Sequence, residues 1–400
     1  MTRHLLKLVW NRKRTNALII LEIFFAFLVV FVVATLGIYF WDNYRQPLGY
    51  SWQNVWKVSV DMKGGEAEDE ALVLAKRKLL QRLLREIEAL DPVESAAAAM
   101  VSPYDRGGWT GNSNIEGKEV KMEISAVTAG FAEVMGLEVV AGRWFQEAAE
   151  ALDWEPTVID QDLARAVYGD EDPIGRRFGE PAPSERTKRV IGVVREFRKG
   201  GELSEQGNFM FQLLRLNEAS WYDSRNILVK VRPGTMASFE EELTALLLGV
   251  APDWSFRIKT LSEVRESSFR ETLAPLVAGG IVVFFLLLMV ALGLFGVLWQ
   301  NLLQRTRELG LRRAAGASRF AVHRQVISEQ AILTSFGVLL GVIVVIQIPV
   351  LDLIGFIRPE VFAGGLVFAM AAIYLLSTLC SFYPSAMASR VQPAEALRYE

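Results

Sequence analysis

Side chains able to ligate a metal or act as nucleophiles are scarce in this 400-residue chain. His4, His323 and Cys380 are its only histidines and cysteine, each far from the others, so they form no cluster of ordinary ligand spacing and no intrachain disulfide. Phosphate-cradling chemistry is missing as well. The Gly117-Lys118 pair has Asn112 where a Walker loop needs its first glycine and Glu119 where it needs Ser or Thr. Asp160 and Asp162 could in principle share acid and base roles, but a solvated charged face is the commoner use of such residues. No catalytic residue and no metal site are assigned, and no cofactor is expected on this chain.

One segment is specific. Residues 300–330 are basic, and within them Arg305, Arg307, Glu308, Leu309, Gly310, Leu311, Arg312, Ala314, Gly316 and Ala317 combine charge with small side chains. Glu308 and Arg312 are an i,i+4 pair in the favourable order for a helix. Gly316 is placed to end that helix and Ser318 to cap the next. The expectation is a short basic elbow whose small residues admit another protein surface closely. Arginines holding lipid phosphates are the blander account; it explains the charge but not the Glu308-Leu309-Gly310 run.

The elements that must carry this elbow follow from hydropathy. Residues 17–41, 273–299, 331–351 and 361–383 are apolar runs broken by one charge, Glu22, and each is long enough for a hydrocarbon core of about 30 Å. Residues 41–270 hold 29 Lys and Arg against 38 Asp and Glu, whereas the remainder holds 14 against 8. The positive-inside bias then sets the topology: a cytoplasmic segment 1–16, helix 17–41, an external domain 42–272, helix 273–299, the cytoplasmic elbow 300–330, helix 331–351, an external loop 352–360, helix 361–383 and a cytoplasmic tail 384–400. Cleavage of the first segment as a signal peptide is disfavoured, because it ends in bulky Tyr39, Phe40 and Trp41. The fold class expected is an integral membrane protein of four transmembrane helices with a large extracytoplasmic mixed α/β domain between helices one and two.

Within that domain the pattern predicts strands at 55–60, 93–101, 122–128, around Val158 and Ile159, at 190–194, 226–232 and 255–260. Helices are predicted at about 70–90, 162–168 and 236–249, with a Gly, Asn and Ser loop over 102–114. Lys76, Arg77, Arg82 and Arg85 are assigned to the solvated face of the first helix. Two lobes, dividing near 105–120 or 215–225, are expected. In the membrane, Gly337 and Gly341 stand four apart, a spacing that permits close helix contact, and Glu22 is read as a snorkelling carboxylate or one paired with Arg12–Arg14. Eight of the ten tryptophans lie between 41 and 270. Core and rim packing is their expected use, with Trp41 in an interface belt.

These features resemble the MacB/FtsX-type permeases of ABC transporters over nearly the whole chain. Arg307-Glu308-Leu309-Gly310-Leu311 followed by Ala314-Ala315-Gly316-Ala317 matches the family's cytoplasmic run, with Ala315 in place of a larger aliphatic residue. Outside, Ala141-Gly142-Arg143-Trp144-Phe145, Asp170-Glu171-Asp172-Pro173-Ile174-Gly175 and Val190-Ile191-Gly192-Val193-Val194 echo a MacB-like domain in order. The ending Val391 to Arg398 is also family-like, although Ala386 and Met387 replace the arginines usual after Pro384. The resemblance implies a multi-pass protein of the bacterial inner membrane, paired with a second permease copy or a homologous permease. It would dock through the elbow on a separate ABC ATPase that holds ATP and Mg. A periplasmic membrane-fusion adaptor and an outer-membrane channel are further partners of such systems; nucleic acid is not. The implied function is mechanotransmission for export. The alternatives are an FtsX-like signalling subunit that activates an external hydrolase, and a lipoprotein-release permease.

Overall fold

The computed structural model describes residues 13–62, 70–105, 107–115, 118–146, 153–179, 186–218, 224–304, 318–351 and 358–390. The chain divides into two compact units, one running to Asp42 and resuming at Leu273, the other Asn43–Thr272.

Helix α1 (Lys13–Tyr44) opens the described chain. The second unit then alternates β1 (Val55–Asp61), α2 (Glu70–Glu88), β2 (Val93–Ala99), β3 (Trp109–Ile115), β4 (Lys118–Val127), α3 (Phe131–Met135), β5 (Val139–Gly142), β6 (Trp154–Asp160), α4 (Gln161–Tyr168), β7 (Thr187–Val194), β8 (Phe209–Leu213), β9 (Asn226–Val231), α5 (Phe239–Val250) and β10 (Ser255–Thr260). Among the described residues the strands form one ten-stranded sheet ordered β10-β1-β9-β2-β4-β8-β6-β7-β5, with β3 hydrogen-bonded to β4 beside this path.

The two-residue period of the strands sorts side chains between layers. Ile227, Val229 and Val231 of β9 and Ala96 and Ala98 of β2 meet Leu80, Leu83, Leu84 and Ile87 of α2 and Phe239, Leu243 and Leu247 of α5. Leu228, Ala97 and Ala99 face the other way, onto Phe131, Val134 and Met135 of α3 and the rings of Phe197, Phe209 and Phe211. A third cluster buries Leu163, Val167 and Tyr168 of α4 on Ile159, Val190, Val193 and Met210. At roughly 1.5–3 kcal/mol for each large apolar side chain, these layers dominate the favourable side of folding. A narrow seam joins the two halves of the sheet. β2 and β4 share the single pair Ala99 and Val127, reinforced by backbone bonds from Met100 N–H to Ala126 O at 2.8 Å and from Thr128 N–H to Ala98 O at 2.9 Å.

Two expectations are corrected, and two strands are added. Residues 109–114, read as part of a loop, belong to β3, a mostly polar strand that pairs with β4 along its length and buries one apolar side chain, Ile115, in the cluster around α4. β8 and β5 escape the sequence pattern because both are short, and the four residues of β5 alternate only partial burial with exposure. Arg77 is not on the solvated face of α2: it is 6% exposed, and its Nη1 donates to the carbonyls of Arg215 at 2.6 Å and Glu218 at 2.7 Å.

In the other unit α6 (Leu261–Gln304), α7 (Arg319–Val345), the short α8 (Gln347–Val350) and α9 (Pro359–Arg390) follow. Four helices, α1, α6, α7 and α9, are long and apolar enough to cross a membrane. α6 starts twelve residues ahead of its apolar run because Thr260 and Glu263 close a capping box. Thr260 N–H donates to the Glu263 carboxylate at 2.9 Å, and Glu263 N–H to Thr260 Oγ1 at 3.2 Å. Ser318 caps α7 by accepting the Ala321 N–H at 3.2 Å.

Asp160 shows how a carboxylate placed for capping carries a cost. Its Oδ1 accepts the Leu163 N–H at 2.9 Å at the start of α4, yet the residue is 1% exposed, and burial pushes its carboxyl well above the ordinary aspartate range, with Asp162 adding like-charge repulsion. The folded state therefore holds this proton more tightly than the unfolded chain, and stability falls as pH rises from about 4 toward the folded-state pKa. Asp160→Asn keeps the capping oxygen and removes that slope. Thermal melts of wild type and variant from pH 4 to 8 are expected to diverge with rising pH, the variant melting higher at the upper end.

Candidate functional site

The elbow residues Arg305, Arg307, Glu308, Leu309, Gly310, Leu311, Arg312, Ala314, Gly316 and Ala317 lie outside the described residues. Of that segment's flanks, the Ser318 cap of α7 is described above, and the last turn of α6 ends at Gln304.

Gly337 and Gly341 both sit on α7 against α1. A Cβ on Gly337 would stand 2.6 Å from Ile23 Cγ2 and 3.0 Å from the Ile20 carbonyl, and one on Gly341 would stand 2.2 Å from Phe27 Cδ1. The pair packs helices within one chain, and the absent side chains let Ile23 and Phe27, both buried, reach the α7 backbone. The rest of this core is Val290 and Leu294 of α6, Leu333 and Val338 of α7, and Ala369 and Ile373 of α9. Glu22 is met in the same manner from α6: a Cβ on Gly293 would lie 2.7 and 2.8 Å from its carboxylate oxygens. The side chains of Arg12–Arg14, its anticipated partners, are not among the described ones.

α7 and α9 are also joined by hydroxyls. Thr334 Oγ1 and Ser377 Oγ are 2.6 Å apart, and Ser335 Oγ and Tyr374 Oη are 2.8 Å apart. Interhelical hydrogen bonds of this type add about 0.6–2 kcal/mol each in hydrocarbon. They leave the seam polar but uncharged.

Outside the membrane helices, the three family-like motifs converge at one place. Ala141 and Gly142 of β5 pair with Val193 and Gly192 of β7. Gly142 has φ +68°, and its Cβ would lie 2.2 Å from the Ile191 carbonyl, as a Cβ on Gly192 would from that of Arg143. The Asp172 carboxylate accepts the Ile174 N–H at 3.0 Å and Gly175 N–H donates to Val190 O at 2.8 Å, which brings the Asp170–Gly175 turn onto the same strand. The motifs thus mark a site of close backbone approach, where glycine is required for room and for positive φ. Asp162, the second carboxylate of the considered acid–base pair, lies 3.7 Å from Arg165 on α4. Of the tryptophans, Trp56 and Trp254 are buried, Trp109 is at the β3 edge and Trp41 is 62% exposed; Trp144 donates its indole N–H to Ala129 O at 2.8 Å.

A polar assembly that sequence reasoning missed surrounds the loop 198–204, where Arg198 is 2% and Glu202 7% exposed. The signal was faint: Arg198-Lys199-Gly200-Gly201-Glu202 reads as an ordinary charged turn, and its partners stand far away in sequence, Asn43 at 155 positions and Arg265 at 63.

Comparison with known proteins agrees with this architecture. The MacB-like periplasmic core domain matches residues 17–246, and the FtsX-like permease C-terminal domain matches 280–393. The macrolide export ATP-binding/permease protein MacB of Bordetella avium is 26% identical over 287 residues, covering 69% of this chain and 43% of that protein. An uncharacterized ABC transporter permease of Bacillus subtilis, YknZ, is 22% identical over 295 residues, covering 71% of each. The chain spans just under half the length of the first MacB relatives it matches. Among solved structures, the periplasmic region of MacB from Actinobacillus actinomycetemcomitans aligns with 54% of this chain and 92% of its own at 16% identity and a TM-score of 0.38. With a MacB-like core over more than half its length and an FtsX-like region after it, the chain belongs to the MacB/FtsX-type ABC transporter permeases, and is a membrane protein with an extracellular domain.

Proposed function

We propose that this chain is the permease subunit of a MacB-like ABC transporter, and that it relays the ATP-driven motion of a separate ATPase to its external domain so as to drive export of cargo from the periplasm or the membrane. It sits in the bacterial inner membrane with both termini in the cytoplasm, forms a dimer with a second permease, and binds the ATPase through the 305–317 elbow. ATP and Mg are held by that partner. One observation carries the reading. The membrane unit is packed by apolar side chains, by glycine contacts onto Ile23 and Phe27 and by uncharged polar groups such as Thr334 and Ser377, and across the four apolar segments Glu22 is the one charged residue. A path for charged solute through the bundle would be marked by ionisable groups, which the uncharged hydroxyl seam does not supply; a close-packed bundle instead passes displacement from one end to the other, because packed interiors are stiff.

Helix contact and elbow docking are separable by mutation. Gly341→Leu places a side chain where Phe27 lies; it is expected to cost about 1–3 kcal/mol of overpacking and to lower the melting temperature in detergent, whereas an unchanged melt would mean that α1 and α7 do not meet there. Arg307→Glu combined with Gly310→Trp is expected to abolish copurification of an ATPase while leaving that melt intact, and an ATPase that still copurifies would remove the elbow from the docking surface. Recovery of a cell-wall hydrolase with the purified complex, and of no transported compound, would favour the FtsX-like signalling alternative.

A further inference from the structure

The loop 198–204 grips two helices at once. Arg198 Nη1 donates to the carbonyls of Asn43 at 2.7 Å and Gln46 at 3.1 Å, while Nη2 donates to Glu202 O at 2.7 Å and to Ser204 O. Asn43 Nδ2 answers with a bond to Leu203 O at 3.2 Å. Asn43 lies in the last turn of α1, where carbonyls lack intrahelical partners and the helix dipole favours a cation. Two residues further along the loop from Gly200, Glu202 accepts from Arg265 Nε at 2.5 Å and from the Tyr104 hydroxyl at 3.2 Å. Arg265 belongs to the second turn of α6. Its guanidinium lies 4.6 Å from the Trp52 ring centre and 4.7 Å from that of Phe269, and Phe269 meets Tyr44 edge-on at 6.2 Å. All of these groups fall within Asn43–Thr272.

The loop is in turn fixed to β1 and β9 of the sheet. Tyr104, at φ +66°, donates its N–H to Lys199 O at 2.7 Å, and its ring fills the space where a Cβ on Gly201 would sit, 2.3 Å from Cε1. Non-glycine residues hold such a φ only where their surroundings over-determine it, at a cost of about 1–3 kcal/mol. Next to it, the Asp105 carboxylate pairs with Lys57 of β1 and accepts from Asn226 of β9 at 3.3 Å and from the Ser102 N–H at 2.9 Å. Through the adjacent residues Tyr104 and Asp105, a series of hydrogen bonds and ion pairs thus links β1 and β9 to the end of α1 and the start of α6. Stability alone does not account for it, since buried ion pairs add little over apolar packing of equal volume. What they supply is a fixed geometry that fails when one partner is lost.

We propose that this clasp is the joint through which α1 and α6 drive the external domain, with Arg198, Glu202 and Arg265 as its positioning residues. The inference rests on the relay reading above. It is tested on the full chain in complex with the ATPase that copurifies with it, in lipid nanodiscs, using Cys380→Ser and exposed Met236→Cys to carry a donor dye and acceptor-labelled lipids to report the height of the external domain. ATP is expected to change energy transfer in the otherwise wild-type complex. Glu202→Arg and Arg265→Glu should each keep ATP hydrolysis and lose most of that change, and the double exchange should restore it, a coupling that a double-mutant cycle isolates. Should charge reversal prevent expression, Glu202→Gln removes the charge at nearly constant volume and is read in the same way. Singles that retain the full ATP-dependent change overturn the clasp. A wild-type complex that shows no change overturns the relay itself, and the two failures are told apart by which complex shows them.

Discussion

Hydrocarbon offers no partner to a backbone N–H or carbonyl, and the rest of this structure follows from that constraint. Each crossing segment must satisfy its own backbone, so it is a helix, and each must shed charge, so the 43 basic and 46 acidic residues of the chain are concentrated elsewhere. With the hydrophobic effect unable to draw helices together inside lipid, contact between them falls to shape and to hydroxyl pairs. Gly337 and Gly341 provide the first, Thr334 with Ser377 the second. Even Glu22 obeys the rule, because its carboxylate occupies space that α6 leaves open at Gly293.

Water imposes the opposite logic on residues 43–272. There the apolar residues collapse onto a sheet, and polar groups can be buried where fixed partners offset the loss of water. Arg77 Nη1 and Arg198 Nη1 and Nη2 are buried donors that bond backbone carbonyls, which ties loops without regular structure to the elements around them. The same economy explains Tyr104 and Gly201: two loops approach so closely that one must lack a side chain and the other must adopt a left-handed backbone.

What could be read from sequence divides along the range of the interaction. The apolar runs, the strands at Val55–Asp61 and Ser255–Thr260, and α4 each show themselves within a dozen residues, because hydropathy period is local. β3 was hidden because most of its residues are polar and pair through ladder bonds that any sequence can make, with Ile115 its one buried apolar side chain. Arg77 was hidden because helical periodicity assigns a face from polarity, and a guanidinium bonded to Arg215 O and Glu218 O violates polarity while satisfying chemistry. The clasp was hidden because its partners are joined only by the fold. The glycines of the Ala141-Gly142 and Gly192 motifs were legible as a family feature, but their reason, backbone against backbone at 2.2 Å from a would-be Cβ, needed coordinates.

A relay and a conduit ask different things of a membrane bundle. A conduit must hold polar groups in a row and let them exchange partners with the solute, which requires an interior that opens. A relay must resist deformation along its length, which requires an interior with no slack. Phe27 wedged against Gly341, Ile23 against Gly337 and Thr334 bonded to Ser377 are contacts that tolerate little sliding. In the relay proposed above, the requirement moves outside the membrane helices to the attachment points, since a stiff lever works only if its end is fastened. Arg198 at the last turn of α1 and Arg265 at the second turn of α6, both tied to one loop, meet that requirement with bonds whose direction is fixed. An apolar patch of equal area would hold the helices but would let them rotate, because hydrophobic contact has no preferred angle.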